Sequence, residues 1–395
     1  MPMTFDTYSN CFFGCLYCFS QYQRGVGKSK QAYFTKQVRP VNVQAVKRLF
    51  ENPGGSQFET FIRERRVMQW GGLSDPFCYF ERKYGVTLEL LRFFRSIDYP
   101  ICFSTKGTWW LNDPRYVEVF KGAKNWNVKI TIITEDYRAA RIIERGVASP
   151  SERLWAIERV AALGAGGVTL RLRPFIIGIS NPTHIDLIKH AAEAGGSAVS
   201  TEFFCLDLRA PEEIRRNYRI ISQIAGYDIV RFYRRYSLGS GYLRMNRNVK
   251  REFVDQMEQA CRENGLRFYV SDAHFKERCD NGSCCGLPES WNYSRGQWCE
   301  ALMIAKRRGR VMWADIAPHL EYAKGFEWQK AIGYNTNSVE RRAKFMDFSM
   351  YDYLQWTWNH PSAGQSPYHM FEGIMRPCGK DQEGNWIYEY DRSRE

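Results

Sequence analysis

The sequence predicts an α/β protein built as a parallel (β/α) barrel, partial or complete, followed by a cysteine- and aromatic-rich extension. Six short β-rich runs alternate with amphipathic helical stretches between Thr4 and about Arg209. The residues of chemical interest fall at or just after the ends of those runs, and the alternation becomes irregular beyond Arg209. Strand and helix units repeated in this way build parallel sheets with right-handed crossovers, and their chemistry collects at the strand C-terminal ends. An open doubly wound sheet has the same local pattern.

The strands are expected near Thr4–Ser9, Arg66–Gly71, Ile101–Thr105, Val128–Thr134, Val168–Pro174 and Val199–Cys205. Between them, helices are expected over Val41–Glu51, Thr87–Ile97, Asp113–Lys121, Pro150–Leu163 and Thr183–Glu193. The fourth carries a complete start signal, with Ser149 as N-cap, Pro150 in the first position and Glu152 closing a capping box. Farther on, Glu212–Ile224 and Val249–Asn264 read as helices, Gly265 stops the second, and Val230–Arg234 and Leu266–Val270 read as strands. A helical stretch lies around Val339–Phe348. The expected organisation is a barrel over residues 1–209, a basic and aromatic extension over 210–272, and a cap over 273–395 holding a possible second metal site.

With 395 residues, 44% of them hydrophobic and 25% charged, the chain is long enough for one large core and an extension. Its apolar runs are too short to span a bilayer, so no membrane is expected. The first residues, MPMTFDTYSN, lack a basic and apolar leader, and the expectation is a cytoplasmic protein. In a reducing compartment clustered cysteines are better metal ligands or catalytic thiols than disulfides, and twelve are present. Nothing in the sequence sets an oligomeric state.

Cys11, Cys15 and Cys18 form a Cys-x3-Cys-x2-Cys loop after the first strand. Three thiolates can bind three irons of a [4Fe-4S] cube and leave the fourth open to another ligand. A ferredoxin loop would supply a fourth cysteine, and a zinc site a second Cys pair, and neither companion occurs in the first seventy residues.

This spacing, with Tyr17 immediately before the last cysteine, resembles the radical S-adenosylmethionine (SAM) superfamily over roughly residues 4–210. The resemblance implies a partial (β/α)6 barrel, a [4Fe-4S] cluster, SAM chelated to its open iron, and reductive cleavage of SAM to a 5′-deoxyadenosyl radical that abstracts hydrogen from a substrate. It also implies a reductant such as a flavodoxin or ferredoxin. Trp70-Gly71-Gly72-Leu73-Ser74-Asp75-Pro76 stands where the family contacts the SAM amino group through backbone, a task that suits glycine. Ser104 and Lys106 stand where the SAM carboxylate would lie, and Thr131, Thr134 and Ile177 where ribose and adenine would.

Within the superfamily, TYSNCFFGCLYCF, GGLSDPF, FSTKG and TIITED look most like the spore photoproduct lyase group, whose named activity reverses a thymine-thymine adduct in DNA. Those lyases carry a hydrogen-donating cysteine two residues before the Ser-Asp pair. Here that position is Gly72, and Cys78 follows the pair. The donor candidates are therefore Cys78, Cys284 and Cys285.

The other group, Cys279, Cys284, Cys285 and Cys299, lies in a glycine-rich loop with His274 nearby. It suits an auxiliary [4Fe-4S] cluster, a structural zinc, or a catalytic or redox thiol pair; a bystander role without metal is the remaining alternative.

The formal net charge is +13. Eleven basic residues against three acidic ones fall between Arg209 and Arg251, interleaved with tyrosines. Arginine forks hold phosphates and aromatic faces stack bases, which makes Arg231, Arg234, Arg235, Arg244 and Arg247 candidates for contact with DNA or RNA. A solvated helix face over packed tyrosines is the alternative. Trp109, Trp110, Trp291 and Trp298 are candidates to hold a flipped base. The function expected is hydrogen abstraction from a nucleobase, such as thymine or a modified pyrimidine, in repair or modification of DNA or RNA. Two alternatives stand beside it: radical chemistry on a peptide or small metabolite, and a non-catalytic iron-sulfur or zinc protein that binds nucleic acid.

Overall fold

The computed structural model of the protein describes residues 3–21, 30–238, 241–293, 298–328 and 339–394, apart from the side chains of Leu238 and His274. Two compact units emerge. The first comprises Met1–Glu51, Val67–Asp272 and Ser283–Tyr293; the second comprises Asn52–Arg66, Ala273–Gly282 and Ser294–Glu395. Residues 210–272 thus belong to the first unit.

The first unit is built on seven strands: β1 (Thr4–Phe5), β2 (Met68–Trp70), β3 (Ile101–Thr105), β4 (Trp126–Thr131), β5 (Gly167–Phe175), β6 (Ala198–Phe203) and β10 (Arg267–Val270). They pair in that order, every pair parallel. The six expected strands are all present, and the strand expected at Leu266–Val270 joins the same sheet beside β6 as a seventh. The sheet has two edges, β1 and β10, and is an open, partial barrel.

Side chains alternate across each strand. Ile101, Phe103, Val128, Ile130, Leu170, Leu172 and Val199 are fully buried on one face. The other face carries Gln69, Cys102, Ser104, Asn127, Lys129, Thr131, Thr169, Arg171, Arg173, Ser200 and Glu202, a polar interior that only partners or ligands make tolerable. The helices between strands follow the sequence signals. Pro150–Ala162 starts on the expected capping box of Ser149 and Glu152.

Beyond β6, Leu206–Asp207 (β7), Ser237–Leu238 (β8) and Tyr242–Met245 (β9) form a small antiparallel sheet in the order β7-β9-β8. The strand expected over Val230–Arg234 is instead part of a helix, Ile229–Tyr236. Asp228 caps it by accepting from the Arg231 amide at 3.0 Å, and Ile229 and Tyr233, four apart, are buried while Arg231, Arg234 and Arg235 are exposed. That is a helical period, which the β-propensity of Ile, Val, Phe and Tyr hides.

The second unit holds an antiparallel sheet of β11 (Arg310–Val311), β12 (Met375–Lys380) and β13 (Trp386–Tyr390) in the order β11-β13-β12. Its core is aromatic, with Trp298, Trp313, Trp358, Phe371 and Tyr388 packed among Ile and Leu side chains. The helix expected near Val339–Phe348 is observed over Val339–Lys344. Among the described residues no helix is long and apolar enough to cross a membrane.

Candidate active site

The cysteine loop is held by hydrogen bonds to its own backbone. Asn10 Oδ1 accepts from the Cys11 amide at 2.8 Å, and its Nδ2 donates to the carbonyl of Tyr33 at 3.1 Å. Gln21 donates to the Cys15 carbonyl at 2.8 Å, and Asn217 donates to Gln21 at 2.9 Å and to the Leu16 carbonyl at 3.2 Å. Lys36 donates to the Cys11 carbonyl at 3.1 Å. Tyr17, between the second and third cysteines, donates its hydroxyl to Glu144, whose other oxygen is paired with Arg153 at 2.7 Å. Arg153 also donates to the Thr131 carbonyl at 2.7 Å, so this buried chain joins the loop to the end of β4. Burial, followed by the Glu144 charge, pushes the Tyr17 hydroxyl well above its ordinary pKa and keeps it a donor.

At the end of β2 a second turn is fixed by two carboxylates. Asp6 accepts from the amides of Leu73 at 2.9 Å and Ser74 at 2.7 Å. Asp75 accepts from the Phe77 amide at 2.9 Å, the Thr105 hydroxyl at 2.8 Å and the Lys106 amide at 2.7 Å, and so fastens this turn to the end of β3. Burial raises the Asp75 pKa against the pull of those bonds. Gly71 has φ +89, and a Cβ on it would stand 2.6 Å from the Ser104 carbonyl oxygen. A Cβ at Gly72 would stand 2.3 Å from Thr4 Cγ2, so a cysteine there would require Thr4 to move.

These elements enclose an open cavity of about 590 Å³. Cys11, Cys15 and Cys18 line it together with Gly71, Gly72, Ser74, Asp75, Ser104, Lys106 and Thr131. Three thiols on one wall, with a glycine turn facing them, fit a cube bound through three irons beside a small-molecule ligand. Asp75 enters the wall with both carboxylate oxygens already engaged by the protein. Thr134 and Ile177 do not line the cavity: the Thr134 hydroxyl lies 3.2 Å from that of Thr183, and the Ile177 carbonyl accepts from Tyr227 at 3.1 Å.

Next to this cavity lies another of about 770 Å³. Cys18, Phe19, Lys106 and Arg171 line both, and Tyr17, Arg173, Glu202, Phe203, Cys205 and Tyr242 are on the second. Sequence reasoning missed Arg171, Arg173 and Glu202. The signal was there in Arg171-Leu172-Arg173, two arginines at strand spacing inside an otherwise apolar run.

The downstream cysteines divide between the units. Cys279 and Cys299 are buried in the second, Cys284 and Cys285 belong to the first, and the side chain of His274 lies outside the described residues. The Cys284 and Cys285 sulfurs are 3.6 Å apart. Their loop stoppers the N-terminal end of the barrel: Asn127 donates to the Cys285 carbonyl at 3.2 Å, Ser200 to the Cys284 carbonyl at 2.9 Å, and Gly286 packs against Thr169. Cys285 packs on Cys102, one of the five cysteines that lie outside both sequence clusters. Burial raises the Cys102 thiol, but the Cys285 thiol, the Lys129 ammonium and the Asn127 amide outweigh it and bring its pKa down to about 6. Cys78 is fully buried on neither cavity wall, and a hydrogen bond with it is the first cause, ahead of burial, that raises the Cys11 thiol. Among the described residues no three His, Cys, Asp or Glu are grouped to hold a single metal ion. Thiolates sharing one zinc stand roughly 4 Å apart, much closer than those around a cube.

The basic stretch separates into parts. Arg231, Arg234, Arg235 and Arg244 are exposed, whereas Arg247 is buried at the start of the helix Arg247–Glu263. Tyr218 and Tyr233 are buried, with the Tyr233 hydroxyl donating to the Phe204 carbonyl at 2.6 Å; Tyr242 is exposed beside Arg244. The tryptophans stand away from both cavities. Trp110 stacks on Phe77 at 4.4 Å, Trp109 donates to the Phe77 carbonyl at 2.7 Å, Trp291 packs on the floor cluster, and Trp298 belongs to the core of the second unit.

No protein-family model matches the chain, and no curated protein matches it. Among solved structures, it is similar to a spore photoproduct lyase complexed with dinucleoside spore photoproduct, with TM-score 0.49 and 19% identity over 67% of this chain and 75% of the other. A spore photoproduct lyase mutant with bound AdoMet and the same dinucleoside gives TM-score 0.47 and 19% identity over 67% and 74%. SuiB of Streptococcus suis bound to precursor peptide SuiA gives TM-score 0.41 and 13% identity over 69% and 49%.

Proposed function

We propose that the chain is a radical SAM enzyme that abstracts hydrogen from a nucleobase in DNA or RNA, in repair or modification of thymine or a modified pyrimidine. The observation that carries this reading is the shared lining of the two cavities: Cys18, Phe19, Lys106 and Arg171 put the cysteine loop and the polar chamber side by side. Cys11, Cys15 and Cys18 would hold a [4Fe-4S] cluster, which when bound and reduced by a flavodoxin or ferredoxin would supply the electron for reductive cleavage of SAM.

The protein's part is to bind, orient and exclude water. The Gly71–Gly72 backbone would receive the SAM amino group, with no Cβ in the way. Lys106 would serve its carboxylate, and Ser104 and Thr131 would offer hydroxyls. Asp75 keeps the glycine turn against β3 and is not itself a ligand. The second chamber holds the substrate, with Tyr17, Phe19, Phe203 and Tyr242 as stacking faces in place of the tryptophans. Arg231, Arg234, Arg235 and Arg244 contact phosphates outside the chamber. Gly72 and the buried place of Cys78 argue for chemistry other than photoproduct reversal by the lyase route, with Cys205 of the chamber as the donor candidate, since Cys284 and Cys285 close the other end of the barrel and line neither cavity.

The deciding experiment is anaerobic reconstitution followed by dithionite and SAM. It is expected to yield 5′-deoxyadenosine, and to yield none when Cys11, Cys15 and Cys18 are all changed to Ala. A loaded cluster that leaves SAM intact would sink the reading. An auxiliary cluster on Cys279, Cys284, Cys285 and Cys299 is tested by the same triple variant, since about four irons per chain would remain with it.

A further inference from the structure

Two cations stand on the wall shared by the cavities, Lys106 and Arg171. The hydrogen bond of the Arg171 guanidinium is a long one, 3.5 Å to the Thr131 hydroxyl. Among the described residues no carboxylate lies within ion-pair distance of either cation. Lys106 instead sits 5.6 Å from the centre of the Tyr17 ring. Two residues along β5, Arg173 is fully engaged by comparison, paired with Glu202 and donating to the Ser271 hydroxyl at 3.3 Å. Burial, and then the charge of Arg173, lower the Arg171 pKa to about 10, while Cys285, Glu202 and Tyr17 act the other way without touching it in an ion pair. A planar fork with no carboxylate in ion-pair contact, at the edge of an open chamber, is complementary to an oxyanion.

We propose that Arg171 is the recognition residue for an anionic group of the substrate, a phosphate or carboxylate entering through the second cavity. This rests on the radical SAM reading only in leaving Lys106 to the carboxylate of SAM. The oxyanion at Arg171 has two possible sources, substrate or SAM, and the test separates them.

The 395-residue chain and its Arg171→Gln and Arg171→Lys variants are titrated with thymidine monophosphate, thymidine and SAM, following intrinsic fluorescence or heat. The wild type is expected to bind the monophosphate more tightly than thymidine. Arg171→Gln is expected to weaken the monophosphate about tenfold or more, the size of one charge-assisted hydrogen bond, and to leave thymidine and SAM within about twofold. Arg171→Lys, which keeps the charge and loses the fork, is expected to fall between. Loss of SAM affinity with the monophosphate unchanged would assign the site to the cofactor and overturn the proposal, as would equal affinity of the wild type for monophosphate and thymidine. These titrations need no SAM cleavage. Failure of the radical chemistry therefore reads separately from failure of the anion site, and a melting curve shows that the variants are folded.

Discussion

The two ends of the barrel interior both hold cysteines and buried cations, yet they settle their charges in opposite ways. At the floor, Lys129 is bonded to Gln69 at 2.6 Å and draws down the Cys102 thiol, while the Ser283–Leu287 segment closes the end against Asn127, Thr169 and Ser200. The Lys129 ammonium is thus answered from within the protein. At the mouth, Lys106 and Arg171 face open cavities with no carboxylate in ion-pair contact, since Asp75 is bonded to the Thr105 hydroxyl and the Phe77 and Lys106 amides and Glu202 is paired with Arg173. Buried polar groups left unanswered by the protein mark where a ligand completes the structure. The floor is built for stability, and the mouth for occupancy.

The comparison breaks most visibly at the fully buried charge pair of the mouth, Glu144 and Arg153. Arg153→Met leaves the Glu144 carboxylate buried beside Tyr17 and is expected to cost about 3–5 kcal/mol. The check is a denaturant midpoint, alongside iron loading. Adding Glu144→Gln should restore much of the loss, and a single variant as stable as the wild type would remove this support for the cysteine loop.

At the floor, Gly286 has φ +77 and a Cβ on it would meet the Thr169 hydroxyl at 2.4 Å. Gly286→Ala is expected to cost about 1–3 kcal/mol. SAM affinity should not change; a coupled loss would mean that the two ends are not independent.

The floor thiolate sharpens the contrast through pH. Because the Cys102 pKa is depressed from 9.0 to about 6, its contribution is complete above pH 9 and is lost as pH falls towards 6. Stability should decline over that window by about 1–2 kcal/mol, less than the roughly 1.4 kcal/mol per pKa unit that full linkage would allow. Cys102→Ala and Lys129→Met should each flatten the decline, and an unchanged slope in both would show that the floor charge is not settled in this way.

The smallest effect concerns the outer arginines, which belong to neither end. Arg231→Glu or Arg234→Glu should change stability by less than about 0.5 kcal/mol. If each neutralises one phosphate, its removal should lower the salt slope of nucleic-acid binding by about 0.7–0.9. An unaltered slope would leave these residues as a solvated helix face.

Much of the first unit was legible because its signals are local. The alternation of strands and helices placed six of the seven sheet strands, Ser149 and Glu152 placed a helix start, and the spacing of Cys11, Cys15 and Cys18 marked the three-cysteine loop that lines the cavity. Val230–Arg234 was misread since β-favouring side chains there follow a helical burial period. Thr134 and Ile177 were expected at the ribose and adenine only through the family resemblance, and they lie in the segments after β4 and β5, off the cavity wall.

By itself the sequence determined the parallel α/β architecture, the three-cysteine loop and the glycine turn, since each depends on residues a few positions apart. Only the tertiary structure decided which charges are compensated. Glu202 pairs with Arg173 and leaves Arg171 without a direct ion pair, Asp75 is consumed by β3, and Cys102 meets Cys285 from a distant part of the chain. Pairing of that kind is set by which strands lie side by side and which face each residue takes, and no local spacing encodes it.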